Sequence, residues 1–418
     1  MMKKLISEYL RLLARFKLWR TRPTVIGVTG SYGKTSTKEA IFRVLQTRWR
    51  SYRSAKSYNT DLGMCLTILE QKSGFRSAVS WGAILMRATL NSFFGRGYEY
   101  IVLEYGVDKP GDMDSLLAIV KPDIAVMTKI GLGHQAEGQF ENEHEVLEEK
   151  KKLALAVGRR GKVVLNGGDE LLKTIGAEIH GELHLFNDNE LQAVEVRQER
   201  TGISGTIKSE EESVRAHFAI PGTHHMDVIL AALLVGRLCR VSLQSGIEAL
   251  QEFRLPPGRL SLIEGSGGSL ILDSSYNASP ETVIGTLQVL RDFPATRRIA
   301  VLGTMNELGK YSVEKHSEVG RACGDWLDML IGVGEGGEVV AETSLKNGFA
   351  KANIKTFATA EEAGEFLKTV PLSQGDVVLV KGSQNKVRLE RAVKIIMAHP
   401  EQAAALLCRQ EAAWQEKI

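Results

Sequence analysis

The feature that most restricts the fold of this chain is one local pattern that recurs along it. Each copy begins with a short continuous apolar run, passes through a turn that contains glycine, and continues into a stretch with helical periodicity. Continuous apolar runs are typical of parallel strands covered on both faces, and their alternation with helices indicates an α/β fold. Two series of strands are predicted: Thr24–Thr29, Tyr100–Glu104, Ile124–Thr128 and Lys162–Leu165, then Leu270–Asp273, Arg298–Leu302, Met329–Val333 and Val377–Val380.

The chain divides at a proline-rich break between the two strand series. Its 418 residues exceed what one ordinary core accommodates, so we expect more than one domain. The break is Leu255–Leu260, with the sequence LPPGRL, which is typical of a linker. Before it, Leu185–Ile220 alternates and turns like a small antiparallel insertion. The predicted division is an N-terminal helix over 1–22, a central α/β domain over 23–257 and a Rossmann-like α/β domain over 258–418.

The N-terminal segment mixes apolar and basic residues throughout. Leu5, Leu10 and Leu13 alternate with Lys4 and Arg11, a pattern that excludes a signal-peptide core and predicts an amphipathic helix. We favour the interpretation that this helix packs on its own domain, and we keep a weak contact with a membrane surface as the alternative. No apolar run reaches the length of a membrane span.

Bulk composition excludes several classes of protein. With 43% hydrophobic and 25% charged residues, the chain has the composition of a globular protein, and its net charge of +3 gives no reason to expect a nucleic-acid partner. The four cysteines form no CxxC pair, so we expect buried reduced thiols rather than a zinc site or a disulfide framework. These features favour a cytoplasmic location, and we expect a monomer.

The strongest single motif is VIGVTGSYGKTSTKEAIFRVL, in which a strand meets a glycine loop and then a helix beginning at about Thr35. Glycines let main-chain N–H groups turn toward a phosphate, and the helix N-terminus adds partial positive charge. Lys34 can reach the β- and γ-phosphates of a nucleotide, and the Thr35 hydroxyl can bind Mg²⁺. The strict phosphate-loop pattern requires another glycine where Val28 stands, and a GTPase base-reading motif is absent from the sequence, so a kinase of small molecules stays open on this motif alone. The predicted ATP contacts in the loop are Gly30, Ser31, Gly33, Lys34, Thr35 and Ser36.

Three further candidate residues lie at the end of a predicted strand, just after the next strand and on the helix that follows. Glu104 ends a strand whose carboxyl end should lie beside the phosphate loop, where a carboxylate can hold Mg²⁺. His134 follows the next strand, and Lys150 lies on the helix after it. Each residue has an ordinary alternative: a surface charge, a hydrogen-bonded loop residue, and one of three solvated lysines at 150–152.

Taken together, these motifs resemble the Mur ligase family over nearly all of Val25 to about Val393. TGSYGKTST is similar to the family's TGxxGKT loop, LEYG to its magnesium-binding glutamate motif at Glu104, and TKIGLGH to its histidine motif at His134. Lys150 falls where the family has a carbamylated lysine, and His225 where a helix start touches the nucleotide, usually through asparagine. The resemblance therefore implies that Lys34, Glu104, His134 and Lys150 are catalytic and that Thr35, Glu104, His134 and Lys150 surround the metal.

The second half continues the resemblance. PPGRL is similar to the motif of a nucleotide-contacting arginine, ILDSSYNASP to IDDxYNANP, VLGTMNELG to VLGDMxELG and VLVKGSQNKVRLE to the KGS…R motif. Ser274, Ser279 and Thr304 depart from these patterns and affect the finer contacts. The implied nucleotide contacts are Arg259, Asp273, Tyr276 and Asn277, and the implied acceptor contacts are His316, Lys381, Ser383 and Arg388.

The resemblance implies an ATP- and Mg²⁺-dependent amide ligase that acts through an acyl phosphate. Within the family, the chain is most similar to the members that add D-alanyl-D-alanine to a UDP-MurNAc-peptide in peptidoglycan synthesis. Family members carry a domain before the loop that grips the UDP-sugar, whereas only about 23 residues precede it here, so the N-terminal helix, Ser73–Tyr98 or a partner is the expected substitute. The alternatives are a folylpolyglutamate-type amide ligase and a regulatory homologue without catalysis.

Overall fold

The computed structural model describes residues 2–54, 59–72, 78–131, 139–384, 387–411 and 414. Its strands are β1 (Thr24–Thr29), β2 (Ser51–Arg53), β3 (Tyr100–Glu104), β4 (Ile124–Met127), β5 (Lys162–Asn166), β6 (Glu182–Phe186), β7 (Gln192–Glu199), β8 (Gly202–Lys208), β9 (Ser213–Phe218), β10 (Ser261–Glu264), β11 (Leu270–Ser274), β12 (Arg297–Gly303), β13 (Met329–Val333), β14 (Ile354–Phe357) and β15 (Asp376–Lys381).

The helices connect these strands and cover both faces of the sheets. They are α1 (Met2–Thr21), α2 (Lys34–Leu45), α3 (Asp61–Ile68), α4 (Ala78–Phe94), α5 (Asp112–Leu117), α6 (Glu143–Leu155), α7 (Glu170–Thr174), α8 (Met226–Leu238), α9 (Leu243–Gln251), α10 (Pro280–Asp292), α11 (Ser312–Ala322), α12 (Gly334–Lys346), α13 (Ala360–Thr369), α14 (Glu390–Ile396) and α15 (Ala403–Leu406).

The first strand series forms a six-stranded sheet in the order β2-β3-β1-β4-β5-β6, and every pairing in it is parallel. Its central strands β1, β3 and β4 are nearly all buried because helices cover both faces. The pairing of β1 with β3 sets Val28 opposite Glu104, so Glu104 ends its strand beside the start of the loop after β1. The expected order of strand, loop and carboxylate at one sheet edge is confirmed.

The second series forms a separate six-stranded sheet in the order β10-β11-β15-β12-β13-β14. Only its edge strand β10 runs antiparallel. The pairing of β11 with β15 sets Ser274 opposite Lys381, which brings two motifs far apart in sequence to one edge. The predicted α/β fold class is therefore confirmed, and each of the two predicted strand series forms its own sheet.

A third sheet, β7-β8-β9, is antiparallel and confirms the predicted insertion. It precedes α8, whose residues are almost all buried because the helix packs against α2 beneath the first sheet. After α9 the chain passes through 255–260 to the second sheet. Gly258 in this passage has φ +73°, and an added Cβ would lie 2.9 Å from the Tyr276 nitrogen, so glycine is required there.

The N-terminal helix α1 packs against α3 and α4, as the favoured interpretation predicted. Leu10 and Ala14 are fully buried, and buried Lys17 donates to Glu70 at 2.5 Å. In the described part of the chain, every helix is too short or too polar to span a bilayer. The four cysteines are buried and unpaired, as expected.

Candidate active site

The loop between β1 and α2 is shaped by two glycines with positive φ. Gly30 has φ +145° and an added Cβ there would collide with the Thr128 hydroxyl, whereas Gly33 has φ +79° and lies directly before α2. Such backbone is strained for residues other than glycine. The loop ends at the N-terminus of the twelve-residue helix α2, and the first main-chain N–H groups of a helix can bind phosphate.

The segment after β4 holds this loop in place. The Ser31 nitrogen donates to the Lys129 carbonyl at 2.7 Å, and the Ser31 hydroxyl donates to the Gly131 carbonyl at 2.5 Å. The Thr128 hydroxyl donates to the Tyr32 carbonyl at 2.6 Å. The phosphate loop is therefore hydrogen-bonded to the segment that leads toward His134. His134 itself lies outside the described residues.

Lys34 lies at the first position of α2 and folds back over the loop. Its ammonium donates to the carbonyls of Gly30 at 2.7 Å and Ser31 at 3.1 Å. Desolvation in the cleft lowers the pKa of Lys34, and the positive charge of Arg259 lowers it further, while Glu104 opposes both. Arg259 belongs to the passage that leads into the second sheet, so the charge of a residue from that part of the chain acts on Lys34.

Thr35 and Glu104 place oxygen atoms together beside the loop. The Thr35 hydroxyl lies 3.1 and 3.0 Å from the two carboxylate oxygens of Glu104, and both side chains are buried. Hydroxyl and carboxylate oxygens suit Mg²⁺, which commonly takes one or two protein ligands and completes its shell with water and phosphate. Among the described residues there is no group of three or more His, Cys, Asp or Glu side chains that could hold a metal. The Thr35 hydroxyl and the Glu104 carboxylate are oxygen donors that fit a phosphate-bound Mg²⁺.

Lys150 is the inward-facing member of the three lysines on α6. It is 3% exposed, whereas Lys151 pairs with Glu148 and Glu178, and Lys152 pairs with Asp114 and Glu149. Burial lowers the pKa of Lys150 well below its ordinary value, and the nearby Lys34 ammonium lowers it further. The amine of Lys150 is therefore the one among the three that is easily deprotonated.

On the second sheet, the end of β11 and the segment after it carry the predicted nucleotide contacts Asp273, Tyr276 and Asn277, while Arg259 precedes β10. The guanidinium of Arg259 lies 4.2 Å from the ring centroid of Tyr276, a cation–π arrangement that orients both groups. Asp273 is fully buried and accepts from the Ser275 nitrogen at 3.0 Å through Oδ1. Its Oδ2 has no hydrogen-bond partner in the described part of the chain, and burial raises the pKa of Asp273 to about 6. A buried carboxylate oxygen without a partner is a candidate for a ligand contact.

The predicted acceptor contacts lie at the end of β15. Lys381 is buried and donates to the Ser274 hydroxyl at 3.1 Å and the Asn277 carbonyl at 2.9 Å. Burial lowers the pKa of Lys381 to about 7, with Arg259 adding to the shift and Asp273 opposing it. Ser383 donates to the Ala278 carbonyl at 3.1 Å. These contacts tie β15 to the loop that carries Tyr276.

Three predicted contacts are engaged elsewhere. His316 is fully buried, and its Nε2 accepts from the Met305 nitrogen at 2.8 Å while its Nδ1 lies 2.7 Å from the Ser312 carbonyl. His225 lies 2.6 Å from the Pro221 carbonyl, and burial lowers its pKa to about 3, so it stays neutral. Arg388, with φ +49°, lies 3.4 Å from Glu390. His316 and His225 support the main chain around the site in this arrangement, and a direct ligand contact for either stays a prediction.

Sequence reasoning missed two residues that support the site. Lys38 is fully buried one turn after Lys34, donates to the Ser54 carbonyl at 2.9 Å, and lies 4.0 Å from the Glu104 carboxylate. Its i+4 spacing from Lys34 was a usable signal, because residues four apart share a helix face. Arg409 donates to the Ser275 and Tyr276 carbonyls at 2.6 and 2.9 Å, a contact that nothing local in the sequence indicates.

Comparisons with known proteins give the same family over both sheets. The family descriptions that match are the Mur ligase middle domain at residues 28–236 and the Mur ligase glutamate ligase domain at residues 258–384. UDP-N-acetylmuramoyl-tripeptide–D-alanyl-D-alanine ligase of Bacillus subtilis is 29% identical over 403 residues, covering 94% of this chain and 79% of the relative.

Solved structures with the same fold include two nucleotide complexes. MurF ligase from Thermotoga maritima in complex with ADP has a TM-score of 0.74 and 25% identity, covering 96% of this chain and 84% of that one. Mycobacterium tuberculosis folylpolyglutamate synthase complexed with ADP has a TM-score of 0.66 at 14% identity, covering 93% of each chain, and this likeness is one of fold.

Proposed function

Because this chain belongs to the Mur ligase family, we propose that it is an ATP-dependent, ADP-forming ligase that joins a carboxylate to an amine, and that it adds D-alanyl-D-alanine to a UDP-MurNAc-peptide in peptidoglycan synthesis. The observation that carries the proposal is the geometry at the phosphate loop, where the Lys34 ammonium lies over Gly30 and Ser31 and the Thr35 hydroxyl lies 3.0 Å from the Glu104 carboxylate. Burial lowers the pKa of Lys34, Lys150 and Lys381, and repulsion between cations adds to each shift, from Arg259 on Lys34 and Lys381 and from Lys34 on Lys150. A triphosphate and a carboxylate substrate would relieve this repulsion, since both are anionic.

In this proposal ATP lies along the loop from Gly30 to Thr35. The N–H groups at the start of α2 and the Lys34 ammonium neutralise the phosphates. Thr35 and Glu104 are the oxygen donors proposed to hold Mg²⁺, which when bound neutralises charge on the phosphates and on the attacking carboxylate. Arg259 and Tyr276 approach from the second sheet, so the nucleotide would lie between the two sheets.

The reaction consists of two displacements. An oxygen of the donor carboxylate attacks the γ-phosphorus, the bond to ADP breaks, and an acyl phosphate forms. The neutral amine of the acceptor then attacks the acyl carbon, the carbon–oxygen bond to phosphate breaks, and an amide, inorganic phosphate and a proton are produced. The protein contributes by holding the reacting groups in line and by stabilising charge with Lys34 and Arg259.

We propose that Lys150 acts as a carbamate. Its buried amine is readily neutral, and the nitrogen can attack CO₂, forming a nitrogen–carbon bond and releasing a proton to water. The anion that results reverses the sign of charge beside Lys34 and offers oxygens to Mg²⁺, which prefers oxygen to nitrogen. His134 is proposed to act beside it, and its position lies outside the described residues.

Acceptor binding is proposed for the edge of the second sheet where β11 and β15 end. Lys381 is proposed to receive the acceptor's carboxylate, with Ser383 and Arg388 beside it. The described hydrogen-bond partners of the Lys381 ammonium are the Ser274 hydroxyl and the Asn277 carbonyl, which are both uncharged, so a carboxylate can pair with its charge. The proposal also includes domain boundaries at 22/23 and 257/258. It further includes a monomeric state and a cytoplasmic location.

The test measures ADP and amide product with donor, acceptor and ATP, each omitted in turn. We expect ADP release only when all three are present, and we expect Lys34→Ala to lower the rate by about 10²–10³-fold without a change in melting temperature. Lys173→Ala is the matched control, because Lys173 lies on the surface in an ion pair with Glu170. ADP release without an amide product would contradict the ligase assignment.

The two alternatives give different results in the same assay. A folylpolyglutamate-type ligase would turn over a folate and glutamate but not a UDP-MurNAc-tripeptide. A regulatory homologue without catalysis would bind nucleotide and release no ADP with any donor.

A further inference from the structure

One surface of the first-sheet region is apolar in a way that the proposed catalysis does not explain. In the described part of the chain thirteen large hydrophobic side chains are exposed, and eight of them lie on α1 and α4. These two helices account for 20 and 17 of the 418 residues, so the concentration is far above an even distribution. The most exposed members are Leu5, Leu12, Trp19, Met86, Leu90, Phe93 and Phe94, here called the α1/α4 face.

The α1/α4 face is built from two regular stripes. On α1, Leu5, Leu12 and Trp19 recur at seven-residue spacing, which keeps them on one side of the helix. This side is opposite the buried residues Leu10 and Ala14. On α4, Met86, Leu90 and Phe93 recur at spacings of four and three residues and are likewise exposed.

Aromatic contacts join the two stripes into one continuous surface. The ring of Phe16 lies 5.9 Å from that of Trp19 and 4.8 Å from that of Phe93, which lies 6.4 Å from Phe94. The Tyr9 hydroxyl lies 2.8 Å from the Thr89 hydroxyl, and Arg20 donates to the Ser92 carbonyl at 3.0 Å. The helices are therefore fixed side by side, and the face is preformed.

The charged residues of the two helices that form this face are almost all basic. Helix α1 carries six basic residues and a single acidic one, Glu8, and α4 carries one basic residue, Arg87, and no acidic residue. Glu8 is neutralised by Arg11 at 3.4 Å. Arg15 and Arg87 are exposed beside the apolar stripes. Apolar and aromatic side chains bordered by arginines are typical of helices that lie in the interface of a membrane with anionic lipids.

The position of the face leaves the active site accessible. Helix α1 leads directly into the start of β1, and α4 leads through 95–99 into the start of β3. The aromatic end of the face therefore lies near the amino ends of the strands, whereas the phosphate loop follows the carboxyl end of β1. A surface that covered Trp19 and Phe94 would not cover the loop.

We propose that the α1/α4 face binds the surface of a membrane that contains anionic lipids, with both helices lying in the plane of the interface. The apolar stripes enter the headgroup region and the arginines pair with lipid phosphates. Neither helix crosses the bilayer, in keeping with the length and polarity of the helices that the structure describes.

The test is sedimentation of the full chain with vesicles of phosphatidylglycerol and phosphatidylcholine, compared with phosphatidylcholine alone. We expect binding to the anionic vesicles, weaker binding at high salt, and a blue shift of Trp19 fluorescence. The double substitution Trp19→Ser/Phe94→Ser should lower the partition coefficient by about tenfold, since it removes two exposed aromatic anchors. Arg15→Glu/Arg87→Glu should abolish the preference for anionic vesicles.

The matched control is Val313→Ser/Leu345→Ser, which removes two exposed apolar side chains from α11 and α12. It should bind vesicles like the unmodified chain, and all variants should keep the same melting temperature without vesicles. Equal vesicle binding by the unmodified chain and the Trp19/Phe94 variant would overturn the proposal. It would also be overturned if the unmodified chain ignored vesicles and sedimented as a dimer that the same variant made monomeric.

Discussion

At the scale of single residues, Lys150 shows how burial selects one side chain among similar neighbours. Three consecutive lysines point in directions about 100° apart around α6, and only Lys150 enters the protein. Its neighbours form surface ion pairs, which contribute about 0–1 kcal/mol each. The low pKa of Lys150 follows from its loss of water and from the Lys34 charge. The chemistry available to Lys150 is therefore set by its surroundings.

We predict that Lys150→Ala lowers the ligase rate by about 10²-fold or more, because the anionic group proposed beside Lys34 is lost. Lys151→Ala and Lys152→Ala are matched controls and should stay within about twofold, because both side chains lie in surface ion pairs. Steady-state amide formation is the measurement, repeated with added acetate. Partial recovery of Lys150→Ala by acetate would support the carbamate, and wild-type activity without acetate would eliminate it.

Asp273 gives a prediction about stability and pH. Burial raises the pKa of its carboxyl from 3.8 to about 6, so the folded state holds the proton more tightly than the unfolded chain. Ionisation therefore costs stability as the pH rises from about 4 to 6, and the full cost is present above that range. Asp273→Asn removes the cost and should raise the free energy of unfolding by about 1–3 kcal/mol at pH 8 and by much less at pH 4.

Urea unfolding at the two pH values measures this difference, with Asp325→Asn as the exposed control. The Asp273→Asn variant should also bind nucleotide more weakly, if Asp273 contacts the nucleotide as proposed. An equal change in stability at both pH values would mean that Asp273 is ionised and compensated in the folded protein.

At the scale of elements, the C-terminal segment after α15 anchors the loop between β11 and α10. The Arg409 guanidinium donates to both carboxylate oxygens of Glu390 at 2.9 and 2.7 Å, and both side chains are buried. The same guanidinium donates to the carbonyls of Ser275 and Tyr276. A segment outside the matched family regions thus positions the ring that Arg259 covers.

We predict that Arg409→Met lowers the free energy of unfolding by about 3–5 kcal/mol, because it leaves the Glu390 charge buried without its main partner. Arg391→Met is the control, since its pair with Glu361 is exposed and should contribute less than about 1 kcal/mol. Denaturant unfolding compares the two variants. If Arg409→Met retains folding at reduced temperature, its affinity for nucleotide should also fall. Equal losses for the two variants would show that the buried pair contributes no more than a surface pair.

A deletion of helix α1 would combine two effects, the loss of its core packing and the loss of any contact that it makes with the donor. Its inner face fills the core through Leu10 and Ala14, so removal of the helix would expose the residues of α3 and α4 that it covers. Loss of donor use in such a deletion would then follow from unfolding as readily as from a lost contact. Substitutions on the outer face separate the two effects, because exposed side chains contribute little to stability.

At the scale of the whole molecule, the proposed active site draws on residues of two sheets that the segment 255–260 connects. Lys34 and Thr35 belong to the first sheet's loop, and Arg259 approaches them from the start of the second. A cavity of about 360 Å³ next to this passage is lined by Pro256, Phe253 and Glu39, among others. Closure of the two parts on the nucleotide is expected, as in enzymes that exclude water from their reaction.

We predict that Arg259→Ala weakens binding of a non-hydrolysable ATP analogue by about tenfold or more, although Lys34 and its loop stay intact. Arg254→Ala is the matched control, because Arg254 lies directly before the passage 255–260 and donates to the Ala219 carbonyl at 3.0 Å. Calorimetric titration measures both affinities. Unchanged binding in Arg259→Ala would place the nucleotide on the first sheet alone.

Local patterns in the amino-acid sequence were enough to predict the α/β fold, eight of the strands and the phosphate loop. These follow from local patterns: apolar runs bounded by turns, and Gly30, Gly33 and Lys34 between a strand and a helix. Tertiary structure alone decided which lysine of 150–152 is buried, that His316 uses both ring nitrogens on the main chain, and that Arg409 holds the loop of Tyr276. The physical reason is that desolvation and hydrogen-bond partners come from segments distant in sequence, which no local periodicity records.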